Sequence, residues 1–348
     1  MLPEWEVAVQ RAARAPVTMV IGESDTGKTT LVTALANALL AAGASVGVVD
    51  ADLGQSEIGP PTTIGLGRVA RPLARLGDAE PLALHFVGVT SPAGNILGTL
   101  VGTHRMLGRA RGLACERVVV DTSGLVSGDL GRTLKQAKIE LLDPDLVISI
   151  ERAGECEPIV RAYLATGRPA VLRLPATSTA RRRTADERRR YRMERLQAYF
   201  ATARPVRLDL RKVILRQPPL FGGRQIDAGR LTVAAGAVGC RLLWGEEWAG
   251  TAVVVSDRPL GAAEALEVAR SLAAGPLVHY AREELEMALA GLGDASGDTL
   301  GLGRVRGIDF VERTLAVDTM IDPKAVVSVT VGRATYPEPA TERPALVH

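Results

Sequence analysis

The segment Gly22-Glu23-Ser24-Asp25-Thr26-Gly27-Lys28-Thr29 directly follows an apolar run at residues 17–21 and fits the pattern G-x-x-x-x-G-K-[ST]. A helix-forming stretch follows it, which is the strand–loop–helix context that this pattern requires. The backbone N–H groups of such a loop face phosphate oxygens, and the helix adds the positive end of its dipole. Lys28 is expected to reach the β- and γ-phosphates, and Thr29 to offer its hydroxyl to Mg²⁺. The predicted nucleoside triphosphate site comprises Gly22, Glu23, Ser24, Asp25, Thr26, Gly27, Lys28, Thr29 and Thr30.

The composition indicates a globular protein. Of the 348 residues, 47% are hydrophobic and only 3% are aromatic, so the core must consist mainly of aliphatic side chains. Cys115, Cys156 and Cys240 are scattered without a C-x-x-C pair, which favours a reduced, cytoplasmic setting. The acidic start of the chain predicts no signal peptide, and the longest uncharged apolar run, residues 231–240, is too short to cross a bilayer.

Apolar strands alternate with amphipathic helices up to residue 174, which predicts a parallel sheet covered on both faces. The predicted strands are 17–21, 45–50, 82–87, 117–121, 145–150 and 170–174, and the predicted helices are 28–42, 92–111, 131–142 and 156–165. Beyond residue 205 we predict strands at 206–215, 231–244, 251–256, 304–309, 314–318 and 325–331, and helices at 261–273 and 282–289. The predicted fold is therefore α/β: a P-loop NTPase sheet, an Arg-rich helical lid and a smaller β-rich C-terminal domain. The predicted boundaries are 1–203 for the P-loop domain with its lid at about 177–203, 204–335 for the C-terminal domain and 336–348 for a flexible tail.

Two predicted strands end in acidic residues on the same rim as the P-loop. Asp50 and Asp52 follow the second strand, and Asp52 is the candidate to accept a proton from an acceptor hydroxyl or to hold Mg²⁺ through water. Gln55, close behind it, is a candidate for binding a substrate phosphate. Asp121 ends an apolar strand, as the Walker B carboxylate near Mg²⁺ does. The alternative is that Asp50 caps a turn and that Asp52 is merely solvated.

A dense run of arginines follows the predicted sheet. Eight Arg occur between residues 181 and 195, and helical spacing aligns Arg181, Arg188, Arg192 and Arg195 on one stripe. Such a stripe suits a nucleic-acid backbone or the charge on a transferring phosphoryl group, although a charge run is often only a solvated face. Beside a P-loop, a lid that closes over the site and excludes water is the concrete alternative.

In their order along the chain, these motifs resemble the polynucleotide 5′-hydroxyl kinase family. The shared motifs are G-x-x-D-x-G-K-T, D-x-D-x-G-Q, T-x-G and a lid with R-x-x-x-x-R, and the resemblance covers residues 17–200 and continues weakly at 303–318. The family includes the eukaryotic kinases of mRNA 3′-end processing, tRNA splicing and ribosomal RNA maturation and their archaeal and bacterial relatives. The resemblance implies ATP- and Mg²⁺-dependent phosphorylation of a 5′-hydroxyl end of RNA, in some members also of DNA.

Residue roles follow from the resemblance by position. It implies catalytic roles for Lys28, Asp52, Arg183 and Arg188, a Mg²⁺ contact for Thr29, and acceptor binding by Gln55, Thr122 and Gly124. From their positions in the sequence, we add Asp52 and Asp121 as candidate metal contacts, and Leu125 and Arg192 as candidate acceptor contacts. The family's T-x-G-W clasp stacks its Trp on a base, and because Leu125 stands at that position here, the grip on the base is in question.

Other functions stay open at this point. A GTPase usually reads guanine with an N-K-x-D motif, and it is disfavoured because the chain's only asparagines, Asn37 and Asn95, are not followed by Lys. A nucleotide-dimer ATPase carries an extra Lys near the start of the P-loop, and it is disfavoured because Glu23 occupies that region. A small-molecule kinase and a non-catalytic ATP-binding adaptor remain. The sequence leaves open RNA against DNA, single strand against duplex, the pathway, protein partners and oligomeric state.

Overall fold

The structure is a computed structural model that describes residues 3–177 and 182–337. The predicted lid residues 178–181, which include Arg181, lie outside the described residues. Residues 338–348 of the predicted tail also lie outside them. The chain forms two compact units, the first running to Tyr199 and the second beginning at Phe200.

The first unit contains the predicted alternation of strands and helices. Its strands are β1 Val17–Gly22, β2 Val46–Ala51, β3 Thr63–Arg68, β4 Glu80–Phe86, β5 Arg117–Thr122, β6 Leu146–Glu151 and β7 Ala170–Pro175. Its helices are α1 Pro3–Ala12, α2 Lys28–Ala41, α3 Ile96–Gly112, α4 Gly128–Leu142, α5 Glu157–Leu164 and α6 Ala185–Tyr199.

These strands form one seven-stranded sheet in the order β4-β3-β2-β5-β1-β6-β7. Five neighbouring strands are parallel, in the order β2-β5-β1-β6-β7. Strands β3 and β4 add an antiparallel edge beside β2. Ala51 lies opposite Thr122, and Gly22 opposite Ile150, so that the parallel strands end along one rim. This rim brings the P-loop (residues 22–29) together with the segments that follow β2, β5 and β6, as expected for ligand sites in such sheets.

Both faces of the sheet are covered, which explains why its strands are apolar throughout. Met19 of β1 packs in one hydrophobic cluster with Met106 of α3 and Ile139 of α4. Its neighbour Val20 points to the opposite face and packs with Leu31 and Leu35 of α2. Alternate strand residues therefore supply two separate cores, and the predicted α/β fold class is confirmed.

The edge of the sheet and the start of the chain differ from the predicted elements. The predicted strand at 82–87 is β4, and it pairs antiparallel with β3, which the sequence did not predict. Two glycines weaken the strand signal of β3, yet Gly65 is required because a Cβ there would lie 2.0 Å from the carbonyl oxygen of Ile58. Helix α1 was also not predicted, and the helical part of the lid begins only at Ala185.

The second unit is β-rich, as predicted. Its strands are β8 Arg204–Asp209, β9 Ile214–Gln217, β10 Arg224–Gln225, β11 Leu242–Trp248, β12 Thr251–Ser256, β13 Leu277–Ala281, β14 Ala288–Gly293, β15 Thr299–Asp309, β16 Thr314–Thr319 and β17 Ser328–Thr335, and its helices are α7 Ala228–Val238, α8 Ala262–Ser271 and α9 Arg282–Leu285. They form a four-stranded sheet, β10-β11-β12-β13, and a six-stranded sheet, β8-β16-β15-β14-β17-β9.

Three predicted elements of this unit were wrong in detail. The predicted strand at 231–244 is mostly α7, which Asp227 caps through the N–H groups of Gly229 and Arg230 before β11 begins. Short apolar runs do not distinguish a helix from a buried strand. The strand at 206–215 is split into β8 and β9, and the helix at 282–289 ends at Leu285, followed by β14. Across the part of the chain that the structure describes, each helix is too short or too polar to cross a membrane.

Candidate active site

The P-loop forms the predicted turn between β1 and α2. Gly27 has a φ of 96° and stands at the N-cap of α2 without a side-chain cap, so the first-turn N–H groups remain available for an anion. Lys28 is 6% exposed, and its Nζ donates to the carbonyl oxygen of Glu23 at 2.5 Å. The lysine therefore folds back over the loop, where its charge faces any bound phosphate.

Thr29 and Asp121, the two residues predicted to lie near Mg²⁺, meet at the end of β5. The Thr29 hydroxyl donates to Asp121 Oδ2 at 2.6 Å. Asp121 is buried, and this burial raises its pKa to about 6, while the Lys28 ammonium opposes the shift. Burial disfavours the charged form of a carboxyl group, and a nearby positive charge favours it.

Asp50 and Asp52 divide two roles between them. Asp50 is buried and accepts hydrogen bonds from the N–H groups of Glu57 and Ile58 at 2.6 and 2.9 Å. Burial, with the negative charge of Asp121, raises the pKa of Asp50 to about 8. Asp52 is half-buried, lines the main cavity, and accepts at Oδ1 from the N–H groups of Gly54 and Gln55 at 3.0 and 3.1 Å. Asp50 therefore shapes the β2 loop (residues 52–59), and Asp52 is the carboxylate that faces the cavity.

The oxygen donors at the rim fit a divalent cation. Thr29 and Asp121 are in contact, and Asp52 is close enough to raise the pKa of Asp121 further. In residues 3–177 and 182–337 no group of three or more His, Cys, Asp or Glu forms a complete metal cage. Mg²⁺ needs no such cage, because it binds one or two carboxylates and takes its other ligands from water and substrate phosphates.

The clasp (residues 122–125) is fixed from inside the fold. The buried Thr122 hydroxyl donates to the carbonyl oxygen of Val20 at 2.8 Å and accepts from Lys135 Nζ at 2.9 Å. Lys135 also donates to the carbonyl oxygen of Ser123 at 2.6 Å. The Thr122 side chain lines neither of the two cavities described below. Gly124 lies directly against the P-loop, since a Cβ on it would be 2.2 Å from Ser24 Oγ.

The lid docks on the P-loop through Asp25. The backbone N–H of Arg183 and the Nη1 of Arg188 donate to Asp25 Oδ2 at 2.9 and 3.3 Å. Arg183 Nη1 also donates to Gln55 Oε1 at 2.5 Å. The structure thus brings Arg183, Arg188, Gln55 and Asp25 together. Leu125 and Arg192 are half-buried. Neither of these two residues lines either of the two cavities described below.

Further contacts hold α6 on the β2 loop. Arg195 Nη2 donates to the carbonyl oxygens of Glu57 and Gly59, both at 2.9 Å, and the Tyr191 hydroxyl donates to the carbonyl oxygen of Ser56 at 3.3 Å. Arg152, the first residue after β6, donates to the carbonyl oxygens of Ser24 and Asp25. Arg152 and Tyr191 were not singled out from the sequence. The position of Arg152 at a strand end on the rim was the signal that could have found it.

Two cavities flank the P-loop. The larger, which we call the cleft, has a volume of about 900 Å³. Predicted residues in its lining are Ser24, Asp25, Gly27, Lys28, Thr29, Thr30, Asp52, Gln55 and Arg183. The side pocket, of about 270 Å³, is lined by Glu23, Ser24, Asp25, Gly124, Arg182, Arg183 and Arg188. Gly22, at the end of β1, and Thr26 are buried and support the loop.

Sequence comparisons match this part of the chain to a known family. Residues 22–202 match the family model described as mRNA cleavage and polyadenylation factor CLP1 P-loop. The chain is 34% identical over 325 residues to the polyribonucleotide 5′-hydroxyl-kinase of Thermococcus kodakarensis, covering 93% of this chain and 89% of that protein. It is 32% identical over 325 residues to the polyribonucleotide 5′-hydroxyl-kinase of Pyrococcus furiosus, covering 93% of this chain and 88% of that protein.

A solved structure shares the fold. The wild-type Clp1p–Pcf11p complex contains a chain that superposes with a TM-score of 0.59 at 12% identity, covering 92% of this chain and 74% of that one. At this identity the likeness concerns the fold alone. From the family match and the long alignments, the chain belongs to the CLP1 P-loop family and is a relative of the archaeal polyribonucleotide 5′-hydroxyl-kinases.

Proposed function

We propose that the chain is an ATP-dependent polynucleotide 5′-hydroxyl kinase that transfers the γ-phosphate of ATP to the 5′-hydroxyl end of RNA. The observation that carries this proposal is that Lys28, Asp52 and Arg183 line one cleft beside the contact between Thr29 and Asp121. The names of the relatives, polyribonucleotide 5′-hydroxyl-kinases, support the same activity. DNA with a 5′-hydroxyl end is a second acceptor within the proposal.

In the proposed mechanism, Asp52 orients the 5′-hydroxyl and takes its proton. Two backbone N–H groups already hold Oδ1 of Asp52, which fixes the carboxylate at the wall of the cleft. Lys28, Arg183 and Arg188 stabilise the charge that develops on the transferring phosphoryl oxygens. Asp25 holds both lid arginines beside the P-loop, Arg183 through its backbone N–H and Arg188 through its guanidinium.

Mg²⁺ is the cation that the site is proposed to bind. Thr29 and Asp121 would hold it, with Asp52 contributing through water. When bound, the cation supplies positive charge to the phosphate oxygens. Burial raises the pKa of Asp121 to about 6, and a bound cation would lower this pKa by stabilising the carboxylate.

The acceptor end is proposed to lie among Gln55, Gly124, Leu125 and Arg192, with the lid arginines around its phosphates. Thr122 acts indirectly in this proposal, since its hydroxyl holds the clasp on Lys135 and Val20. We keep the predicted limits of 1–203 for the kinase domain and 204–335 for the C-terminal domain as part of the proposal. A cytoplasmic location also belongs to it, supported by three cysteines that are all free thiols.

Single-turnover ATP consumption tests the proposal against a small-molecule kinase and against an adaptor. The enzyme is mixed with labelled ATP, Mg²⁺ and an RNA oligonucleotide that carries either a 5′-hydroxyl or a 5′-phosphate. We expect ATP consumption to accelerate only with the 5′-hydroxyl strand, because only that strand offers the acceptor group. Equal consumption with both strands, or bound ATP that neither strand consumes, would refute the kinase.

A further inference from the structure

Helix α4 carries two buried lysines that the proposed chemistry does not use. Lys135 and Lys138 stand about one turn apart, and both side chains are 0% exposed. Burial lowers the pKa of Lys135 well below its usual value, and the charge of Lys138 lowers it further. Taking an amine out of water costs free energy unless hydrogen bonds compensate for the loss. The contacts of each amine therefore show what it does at this position.

The contacts of the two amines differ. Lys135 Nζ donates to the hydroxyl of Thr122 at 2.9 Å and to the carbonyl oxygen of Ser123 at 2.6 Å. Lys138 Nζ has no hydrogen-bond partner among the described residues. A neutral amine still has two N–H groups, which is enough for both contacts of Lys135. Lys135 is therefore bound to the first two residues of the clasp in either protonation state.

Lys135 reaches the clasp from inside the fold. Thr122 and Ser123 are 0% and 4% exposed, so both lie behind the surface that a substrate meets. The carbonyl oxygen of Ser123 lies beyond the end of β5, where Lys135 supplies its donor. Thr122 in turn donates to the carbonyl oxygen of Val20 in β1. Hydrogen bonds thus connect α4, the start of the clasp and β1.

The next clasp residue, Gly124, lies at the wall of the side pocket, beside three arginines of the lid. The carbonyl group of Ser123 and the N–H of Gly124 belong to one planar peptide unit. The hydrogen bond from Lys135 to this carbonyl therefore also fixes the direction of the Gly124 N–H. A buried amine on α4 in this way sets the backbone at the pocket wall.

We propose that Lys135 is a positioning residue for the acceptor strand: by binding Thr122 and Ser123 from within, it holds the peptide group of Gly124 in the conformation that receives the 5′-hydroxyl end. The nature of the acceptor rests on the proposed function, whereas the contacts of Lys135 do not. Removing the amine adds no atom to the tight contact between Gly124 and Ser24. Its loss should therefore weaken the acceptor strand and spare the donor nucleotide.

Two binding measurements test this role: anisotropy of a 5′-hydroxyl RNA oligonucleotide labelled at its 3′ end, with ADP and Mg²⁺ present, and calorimetric titration of ADP alone. Lys135→Met keeps a long apolar side chain and removes the amine. We expect RNA affinity to fall about tenfold, as for a lost hydrogen bond of a charged group, and ADP affinity to stay within about twofold. Lys138→Met makes the same change about one turn away, at an equally buried position, and should keep RNA affinity within about twofold.

Thr122→Val shows whether Lys135 acts through the clasp, because it removes the hydroxyl that accepts from the amine. In the Thr122→Val protein, Lys135→Met should weaken RNA binding by only about threefold or less, since part of the contact is already lost. A full tenfold loss in both backgrounds would mean that Lys135 acts by another route and would overturn the proposal.

Other results would also overturn it. Equal weakening of RNA and ADP by Lys135→Met would mean that the lysine only supports the fold, and unchanged RNA affinity would remove its role. An equal loss of RNA affinity in Lys138→Met would indicate a general effect of buried charge. Because binding needs no phosphoryl transfer, a wild type that binds RNA without phosphorylating it would refute the kinase and leave the role of Lys135 standing. A wild type that binds no RNA would overturn both.

Discussion

At the residue scale, two neighbouring aspartates have opposite surroundings. Asp50 is 1% exposed and receives hydrogen bonds from the loop that it shapes. Asp52 stands two residues later, at the wall of the cleft. The sequence favoured Asp52 for catalysis and left a turn-capping role open for Asp50. Only the folded loop reveals the several donors around Asp50, because they come from residues up to eight positions further along the chain.

Asp52→Asn is expected to lower turnover by at least about 100-fold, because an amide cannot accept the proton of the 5′-hydroxyl. ATP affinity should stay within about twofold, since Asn retains the oxygen that the loop N–H groups bind. Single-turnover transfer and ATP titration measure the two quantities. Asp129→Asn, on a side chain that is 96% exposed, is the matched control. Weakened ATP binding with normal transfer from the bound complex would indicate a metal-binding role instead.

Lys138 is fully buried on α4, and its Nζ has no hydrogen-bond partner within the described chain. Burial lowers its pKa from 10.5 to about 8, although Asp52, Asp121 and Asp50 oppose this shift. Between pH 8 and 10.5 the unfolded chain thus binds more protons than the folded chain, and stability rises with pH across this window. Lys138→Met removes the buried charge.

We expect Lys138→Met to raise the free energy of unfolding at pH 7 by up to about 3 kcal/mol. The advantage over the wild type should shrink as the pH rises through the window from 8 to 10.5. Denaturant unfolding at pH 7 and at pH 10 measures it, and Lys212→Met, at an exposed position, is the control. A variant that is less stable than the wild type at both pH values would show that Lys138 is a stabilising counter-ion.

At the element scale, the clasp and the P-loop are packed backbone against backbone. A Cβ on Gly124 would lie 2.3 Å from the backbone nitrogen of Ser24, closer than the packing of two atoms allows. The sequence identified this glycine through the T-x-G motif, but not its contact with the P-loop. Strands β1 and β5 are adjacent in the sheet, and that adjacency is what joins two distant motifs.

Gly124→Ala should displace the P-loop and weaken ADP binding by about tenfold or more, because the added methyl group overlaps Ser24. Calorimetric titration with ADP measures the effect. Gly108→Ala, in α3 where a Cβ meets nothing within 4 Å, controls for the added methyl group and should keep normal affinity. Normal ADP affinity of Gly124→Ala would show that the two segments separate without cost.

The lid helix is anchored to the β2 loop by Arg195, whose Nη2 binds two carbonyl oxygens. Arg195→Ala should release this anchor and lower phosphoryl transfer about tenfold, since charged hydrogen bonds contribute about 1.5–3 kcal/mol. ADP affinity should hold, because Arg195 does not line the cleft within the described part of the protein. Gln197→Ala, exposed on the same helix, is the control. Unchanged transfer by Arg195→Ala would mean that the docked lid is not the active arrangement.

At the scale of the whole molecule, the sequence was most informative where strands and helices alternate with apolar periodicity. The six predicted strands of the first unit all occur, because each is apolar, short and bounded by turns. The glycine-containing strand β3 and helix α7 were missed or misassigned, because their patterns are ambiguous without the partners they pack against. The motif residues could be placed on one rim in advance, whereas Lys135, Lys138 and Arg152 acquire their roles only from tertiary contacts.

The most direct test of the central claim is the transfer of labelled γ-phosphate from ATP to matched 5′-hydroxyl RNA and DNA strands in the presence of Mg²⁺. Wild-type protein is compared with Lys28→Ala, because the Lys28 amine lies over the P-loop and its loss removes charge stabilisation from the transferring group. We expect labelled RNA with the wild type and none above background with Lys28→Ala. Equal labelling by both proteins, or no labelling by a wild type that binds ATP, would contradict the account.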